Sequence, residues 1–240
     1  MLHQDAATEA TEIFDKAKTQ AQVVGSGLFS FAQGVTAEVR EAISNSALLA
    51  QLVANNEASN EQDPVAWFTA YSKVLQNVGW TLQDGGWVDY TARGTAAEVN
   101  EKVVEVLTVA LGPAPSALAI ITASINALKA MQPESSWITI FNRESQKAKI
   151  GRFQIGLVDK EESGDVFVSL LGCLIEAENT ITQVLFFKFK QANARFKANS
   201  SKVSINRAAL TDLGPAIRTK TRAYQFDYLS SIRDLKPVTT

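Results

Sequence analysis

Histidine and cysteine are almost missing from this chain of 240 residues: His3 and Cys173 are the only examples of each. Ser-His-Asp and Cys-His mechanisms therefore lack their base. A zinc site would need several imidazoles or thiolates close together, so no metal is expected. One thiol forms no intramolecular disulfide, and the fold does not rely on oxidation. Glycine-rich phosphate loops are also missing. VGSGLF and LQDGGW match neither the phosphate-binding loop nor the dinucleotide fingerprint, so no nucleotide is expected.

Charge is scarce in either sign, with 23 basic against 25 acidic residues and a net charge of −2. Nucleic acid is therefore not an expected partner. The modest basic stretch from Lys188 to Lys202, KFKQANARFKANSSK, reads as a solvated sheet edge. The amino terminus, MLHQDAATEATEIFDKAK, has no charged segment followed by an apolar one, as a secretory signal would. The expectation is a cytoplasmic protein of the producing cell, with any release by a route that leaves no such peptide. No apolar helix reaches the ~20 residues of a bilayer span, so an integral membrane protein is not expected.

What the chain has is hydrophobic content, 46%, enough for one large core. The expected architecture is a single α+β domain over residues 1–240, an antiparallel sheet wrapped by helices. Residues 1–131 read as mostly helical. Helices are expected over 6–24 and 36–54, with GSGLFSFAQG interrupting between them. Asp63-Pro64 supplies an N-cap and first-turn proline for a third helix that carries Trp67, Tyr71, Val74 and Val78 as a core stripe. A short hairpin is expected near 80–91 in WTLQDGGWVDYTA, turning at Asp84-Gly85-Gly86. Two further helices, 96–111 and 116–131, are separated by Gly112-Pro113-Ala114-Pro115.

Residues 136–205 read as a β-meander with strands near 136–142, 150–159, 165–177 and 182–190. The strand at 150–159 looks half buried, with Phe153, Ile155 and Leu157 on one face and Arg152, Gln154 and Gly156 on the other. The next strand, VFVSLLGCLIEAE, is apolar on both faces and belongs at the sheet centre under helices. Glu176 and Glu178, near its end, share a face and read as a solvated strand end rather than an acid/base pair. Two helical segments, NRAALTDLG and AIRTKTRAYQFDYLSSI, fill 206–232, the second amphipathic through Ile217, Tyr224, Tyr228 and Leu229.

Cys173 is the one residue on which a sharper reading turns. Free cysteine commonly packs as a small hydrophobe. Gly172 beside it weakens a strand interior unless something approaches the backbone closely, and it points to the face opposite Cys173.

The lone cysteine in an apolar central strand, the order of elements and the run AWFTAYSKVLQNVGW before DGGW resemble the Erwinia virulence factor (Evf) family of bacterial proteins. That resemblance implies a sheet enclosed by helices and a buried palmitoyl group held as a cysteine thioester. The acylated position would be Cys173, with an acyl donor such as acyl-CoA as partner and self-acylation or acyl transfer as the only chemistry. Burial of a palmitoyl tail, at ~0.8 kcal/mol per CH₂, contributes roughly 10 kcal/mol if a tunnel exists. The role implied is a virulence or host-interaction factor that meets a host membrane or host protein. Two alternatives stay open: a membrane-active, pore-forming or insecticidal toxin that uses the apolar helical hairpin 103–131, and a lipid carrier without a covalent bond.

Overall fold

The computed structural model describes residues 19–58, 63–83, 86–92, 105–106, 115–130, 144–147, 149–161, 163–177 and 194–231. A tight antiparallel hairpin comes first, β1 (Gln20–Val24) and β2 (Gly27–Phe31), with Val24 opposite Gly27. Gly25 takes φ 52° in the turn, the left-handed region that two-residue hairpin turns require. The helix expected over 6–24 is thereby overturned at its end, and GSGLFSFAQG contributes a strand in place of an interruption. Valine and phenylalanine side chains gain cross-strand partners here that an isolated helix would not offer. The part of that expected helix at 6–18 lies outside the described residues.

Two helices follow as expected. In α1 (Ala37–Glu57) the Thr36 hydroxyl caps the amino terminus by accepting from the Val39 amide at 3.5 Å. In α2 (Pro64–Asn77) the Asp63 carboxylate accepts from the Ala66 amide at 3.0 Å, and Pro64 opens the first turn. The stripe on α2 is buried at Trp67 and Tyr71. It packs with Phe29, Phe31 and the α1 residues Ile43, Ala47 and Ala50 in one core.

The remaining strands are β3 (Trp80–Leu82), β4 (Trp87–Ala92), β5 (Gln146–Lys147), β6 (Ile150–Lys160), β7 (Val166–Ala177) and β8 (Ala194–Ile205). Among the described residues they join β1 and β2 in one sheet of eight strands, ordered β1-β2-β6-β7-β8-β3, with β4 also on β8 and β5 on β6. The helices among the described residues are completed by α3 (Pro115–Ala130) and α4 (Arg207–Ser231). This is a single compact α+β domain whose sheet is mostly antiparallel. The exception is β2, which runs parallel to β6, from Gly27 opposite Gln154 to Phe31 opposite Val158.

Several expectations need correction. WTLQDGGWVDYTA is not a hairpin, because β3 and β4 both pair antiparallel to β8. They form one interrupted strand along β8. The register runs from Leu82 opposite Val203 to Trp87 opposite Asn199, and Gly86, just before β4, takes φ 72°. The stretch around Arg195 and Lys197 is not a sheet edge. It belongs to β8, which has β7 on one side and β3 and β4 on the other, and Phe196, Ala198 and Val203 are buried there. The strand β6 is buried on both faces, since Gln154, Gly156 and Val158 are covered as fully as Phe153, Ile155 and Leu157. Gly156 makes this arrangement work: a Cβ there would fall 2.5 Å from Phe29 Cδ1, so the missing side chain leaves room for that ring.

The expected pair of carboxy-terminal helices is one helix that passes through Pro215. Pro215 lies on the exposed side, where water can satisfy the carbonyl that has lost its amide donor. The buried stripe of α4 runs through Leu210, Ile217 and Thr221, whereas Tyr224 is exposed; the side chains of Tyr228 and Leu229 lie outside the described ones. The expected helix 116–131 is α3. Of the expected helix 96–111, only the helical pair Glu105 and Val106 is described. The expected strands 136–142 and 182–190 lie outside the described residues.

Helices cover both faces of the sheet. On one side, α1 and α2 enclose the main core, and α4 packs on α1. On the other, α3 lies on β2, its Ser124 Oγ 2.8 Å from Ser30 Oγ.

Candidate functional site

The period of two along β7 sends Gly172 to the α2 face and Cys173 to the opposite face, the one Ser30 shares with α3. Cys173 is fully buried, with Phe153 opposite it on β6 and Ala198 opposite it on β8. Burial pushes its thiol well above the ordinary range, because a thiolate there would be stripped of water. In the closed fold this sulfur is a neutral thiol and a poor nucleophile.

An opening lies on the other face. A cavity of about 390 Å³ separates α2 from the middle of the sheet. Phe68, Tyr71, Trp87 and Leu170 give it apolar and aromatic walls, with the Gly172 backbone among its lining. Trp87 and Phe68 meet edge to face, ring centroids 4.9 Å apart. Lys73 and Gln76 line it from the exposed side of α2. Cys173 does not line this cavity, nor a second one of about 550 Å³ between α1 and α4.

Two lining residues carry unsatisfied polar atoms. Among the described residues the buried side-chain atoms with no hydrogen-bond partner are Tyr71 Oη, Ser145 Oγ and Gln154 Nε2. Tyr71 and Gln154 are each only 1% exposed, and both line the 390 Å³ cavity. Desolvation raises the Tyr71 phenol far above its ordinary value. The Gln154 amide is held from behind: the Ser26 hydroxyl donates to its Oε1 at 3.3 Å, leaving Nε2 free. Sequence reading placed Tyr71 in the core stripe and Gln154 on an open strand face. A glutamine amid alternating apolar residues was the available signal, and only the parallel neighbour β2 reveals that it is buried.

Arg40 was also missed. It is completely buried, donating from Nε to Val35 O at 2.9 Å, from Nη1 to Gln20 Oε1 at 2.6 Å and from Nη2 to Ala32 O at 3.2 Å. Its guanidinium stacks over Phe31, 5.5 Å from the ring centroid. Gln51 plays a similar part at the hairpin turn, accepting from the Ser26 amide at 3.0 Å and donating to Val24 O at 2.9 Å.

The charged candidates are structural. Glu176 pairs with Lys197 at 3.4 Å, and Arg195 pairs with Asp89 at 2.7 Å. Glu178 lies outside the described residues. No group of three His, Cys, Asp or Glu residues able to hold a metal occurs among the described residues, and no helix there is long and apolar enough to cross a membrane.

A mixed sheet between helical layers, with a buried thiol on one face and an aromatic cavity on the other, defines the class of fold. The chain matches no protein-family model, and no curated protein matches it. Among solved structures, a delta-endotoxin is similar at 13% identity, with TM-score 0.42, over 76% of this chain and 81% of that one. The Evf virulence factor is similar at 12% identity, with TM-score 0.32, over 92% of this chain and 88% of its own. The activated Cyt2Ba monomer from Bacillus thuringiensis subsp. israelensis is similar at 12% identity, with TM-score 0.35, over 74% of this chain and 96% of that chain. The resemblance to Evf is thus present and weak, and it stands beside one to toxin structures.

Proposed function

We propose that this protein is a bacterial host-interaction factor of the virulence or toxin class that carries a fatty acyl group as a thioester on Cys173. The observation that supports this reading is the complete burial of the chain's only thiol at the centre of the sheet, between Phe153 and Ala198. That site suits a neutral thioester better than a thiolate.

The chemistry sets the order of events. The Cys173 sulfur attacks the acyl carbonyl of a donor such as acyl-CoA; the new C–S bond forms as the old one breaks, and the donor thiol leaves with the proton Cys173 gives up. Because burial keeps the thiol protonated, acylation precedes closure of the helical layer or follows its opening. The acyl group is then cargo on the α3 face of the sheet.

Intact-mass measurement under conditions that preserve thioesters tests the reading. The expected result is the increment of one palmitoyl group, removed by neutral hydroxylamine and missing in Cys173→Ser. The acylated protein should also melt well above Cys173→Ala, by far more than the ~1 kcal/mol of an ordinary substitution, because the empty acyl site is a void costing ~24 cal/mol per Å³. An unmodified mass with equal melting temperatures refutes it and makes Cys173 a small core hydrophobe.

A further inference from the structure

We infer that the cavity between α2 and the sheet is a second, non-covalent binding site, for a small ring-bearing molecule with a neutral hydrogen-bond-accepting oxygen such as a ketone, ester or amide carbonyl. It lies on the sheet face opposite Cys173, and so it is independent of the acylation reading.

Size and walls come first. About 390 Å³ falls within the roughly 300–1,000 Å³ of small-molecule sites. Phe68, Tyr71 and Trp87 offer ring faces and edges to a planar guest. Gly172 matters because it is in the lining and has no side chain. Phe68 already takes up that space, at a distance where a Cβ would be 3.0 Å from Phe68 Cε1.

Polarity specifies the guest. Buried polar groups nearly always find partners, so two orphans on one cavity call for an explanation. Tyr71 Oη and Gln154 Nε2 are both hydrogen-bond donors without acceptors. Both atoms are shielded from solvent in the closed structure, so Tyr71 and Gln154 must turn toward the cavity as the guest oxygen enters. The acceptor must be neutral. Lys73 is in the lining, but on the exposed side of α2. Arg152 lies over Trp67, 4.7 Å from the ring centroid, and donates to Asn55 Oδ1 at 3.1 Å. A carboxylate held beside the buried Tyr71 and Gln154 would therefore lack a buried cation.

The test uses a matched pair of probes, acetophenone and ethylbenzene, which differ by a carbonyl in place of a methylene. Each is titrated into ¹⁵N-labelled full-length protein while amide shifts are followed. Acetophenone should bind saturably, with shifts clustered on α2 and around Gly172 and Asn199, and about 10-fold more tightly than ethylbenzene. Benzoate should bind more weakly than acetophenone. Tyr71→Phe, which removes one oxygen and keeps the ring, should reduce the preference several-fold, and Tyr71→Phe with Gln154→Leu should abolish it. Cys173→Ala should leave all affinities unchanged, so the two readings fail separately. Equal affinity for the two probes, no saturable binding of acetophenone, or a preference undiminished in Tyr71→Phe overturns the inference. If Gln154→Leu does not fold, Tyr71→Phe alone decides between these outcomes.

Discussion

Gly172 lies against the Phe68 ring so closely that a Cβ on the glycine would stand 3.0 Å from Phe68 Cε1. The ring is held on two sides, edge-on to Trp67 with centroids 5.1 Å apart and to Trp87 at 4.9 Å. A glycine at the centre of the sheet is thus explained by helix packing, and not by the cysteine that follows it. Gly172→Ala should lower stability by about 1 kcal/mol, the strain of overpacking exceeding the ~0.4–1 kcal/mol gained from a less flexible unfolded chain. A urea midpoint that holds or rises would mean that Phe68 swings aside freely.

Tyr71→Phe should leave stability unchanged or raise it by roughly 1 kcal/mol, because the hydroxyl it deletes has no partner. Alkaline unfolding offers a second measure. Desolvation raises the folded phenol above its ordinary 10.0, so its contribution is whole below that pH and is lost as pH rises above it. The variant should lack that loss, and a variant clearly less stable at pH 7 would show that the hydroxyl is bonded after all.

Cys173 gives a pH signature that separates free thiol from thioester. The folded thiol is raised above its ordinary 9.0, so its stabilising effect is complete below pH 9 and declines above it, by up to ~1.4 kcal/mol per pH unit. Between pH 8 and 10 the deacylated protein should weaken more steeply than either the acylated protein or Cys173→Ala. Parallel curves for all three would show that the thiol titrates alike in the folded and unfolded chains.

Arg40→Leu should cost about 2–4 kcal/mol, since it strips donors from Val35 O, Ala32 O and Gln20 Oε1 in a site closed to water. The loss should be local first. Hydrogen exchange should accelerate across 20–31 before it does in β7, and uniform acceleration would mean that Arg40 supports the whole core equally.

No dye release from liposomes is expected at neutral pH, because α3 is tied to β2 through Ser124 and Ser30 and its Ile121 and Ile125 are buried. Release that stops when Ser30→Cys and Ser124→Cys are oxidised to a disulfide, in a Cys173→Ala background, would favour the pore-forming alternative.

Elements with local signals were legible in the sequence. Thr36 and Asp63 mark helix starts through bonds to residues three positions on, Pro64 by fitting the first turn, and the alternation in β6 and β7 is visible in the residues themselves. What escaped depends on distant partners. The hairpin at 20–31 reads as the end of a helix until β6 stands beside it, and WTLQDGGWVDYTA reads as a turn until β8 takes both of its halves. Charge misled about position only: Arg195 and Lys197 suggested a sheet edge, yet they lie on β8 in the sheet interior, and each has a carboxylate from a neighbouring strand. Of the candidate site, the burial of Cys173 was readable from its strand. The cavity across the sheet was not, because it needs Tyr71, Trp87 and Gln154 brought together from three elements.

The parallel contact of β2 with β6 also sets a timetable for biosynthesis. Ser26 meets Gln154 across 128 residues of chain, and closing so long a loop is slow. A ribosome releases the amino-terminal hairpin long before its partner strand exists, and α1 with Arg40 and Gln51 can shelter only one side of it meanwhile. The other side, with Leu28 and Ser30, waits for later segments of the chain. The nascent protein therefore passes through a stage with bare apolar strand surface, open to chaperones, that the finished molecule hides.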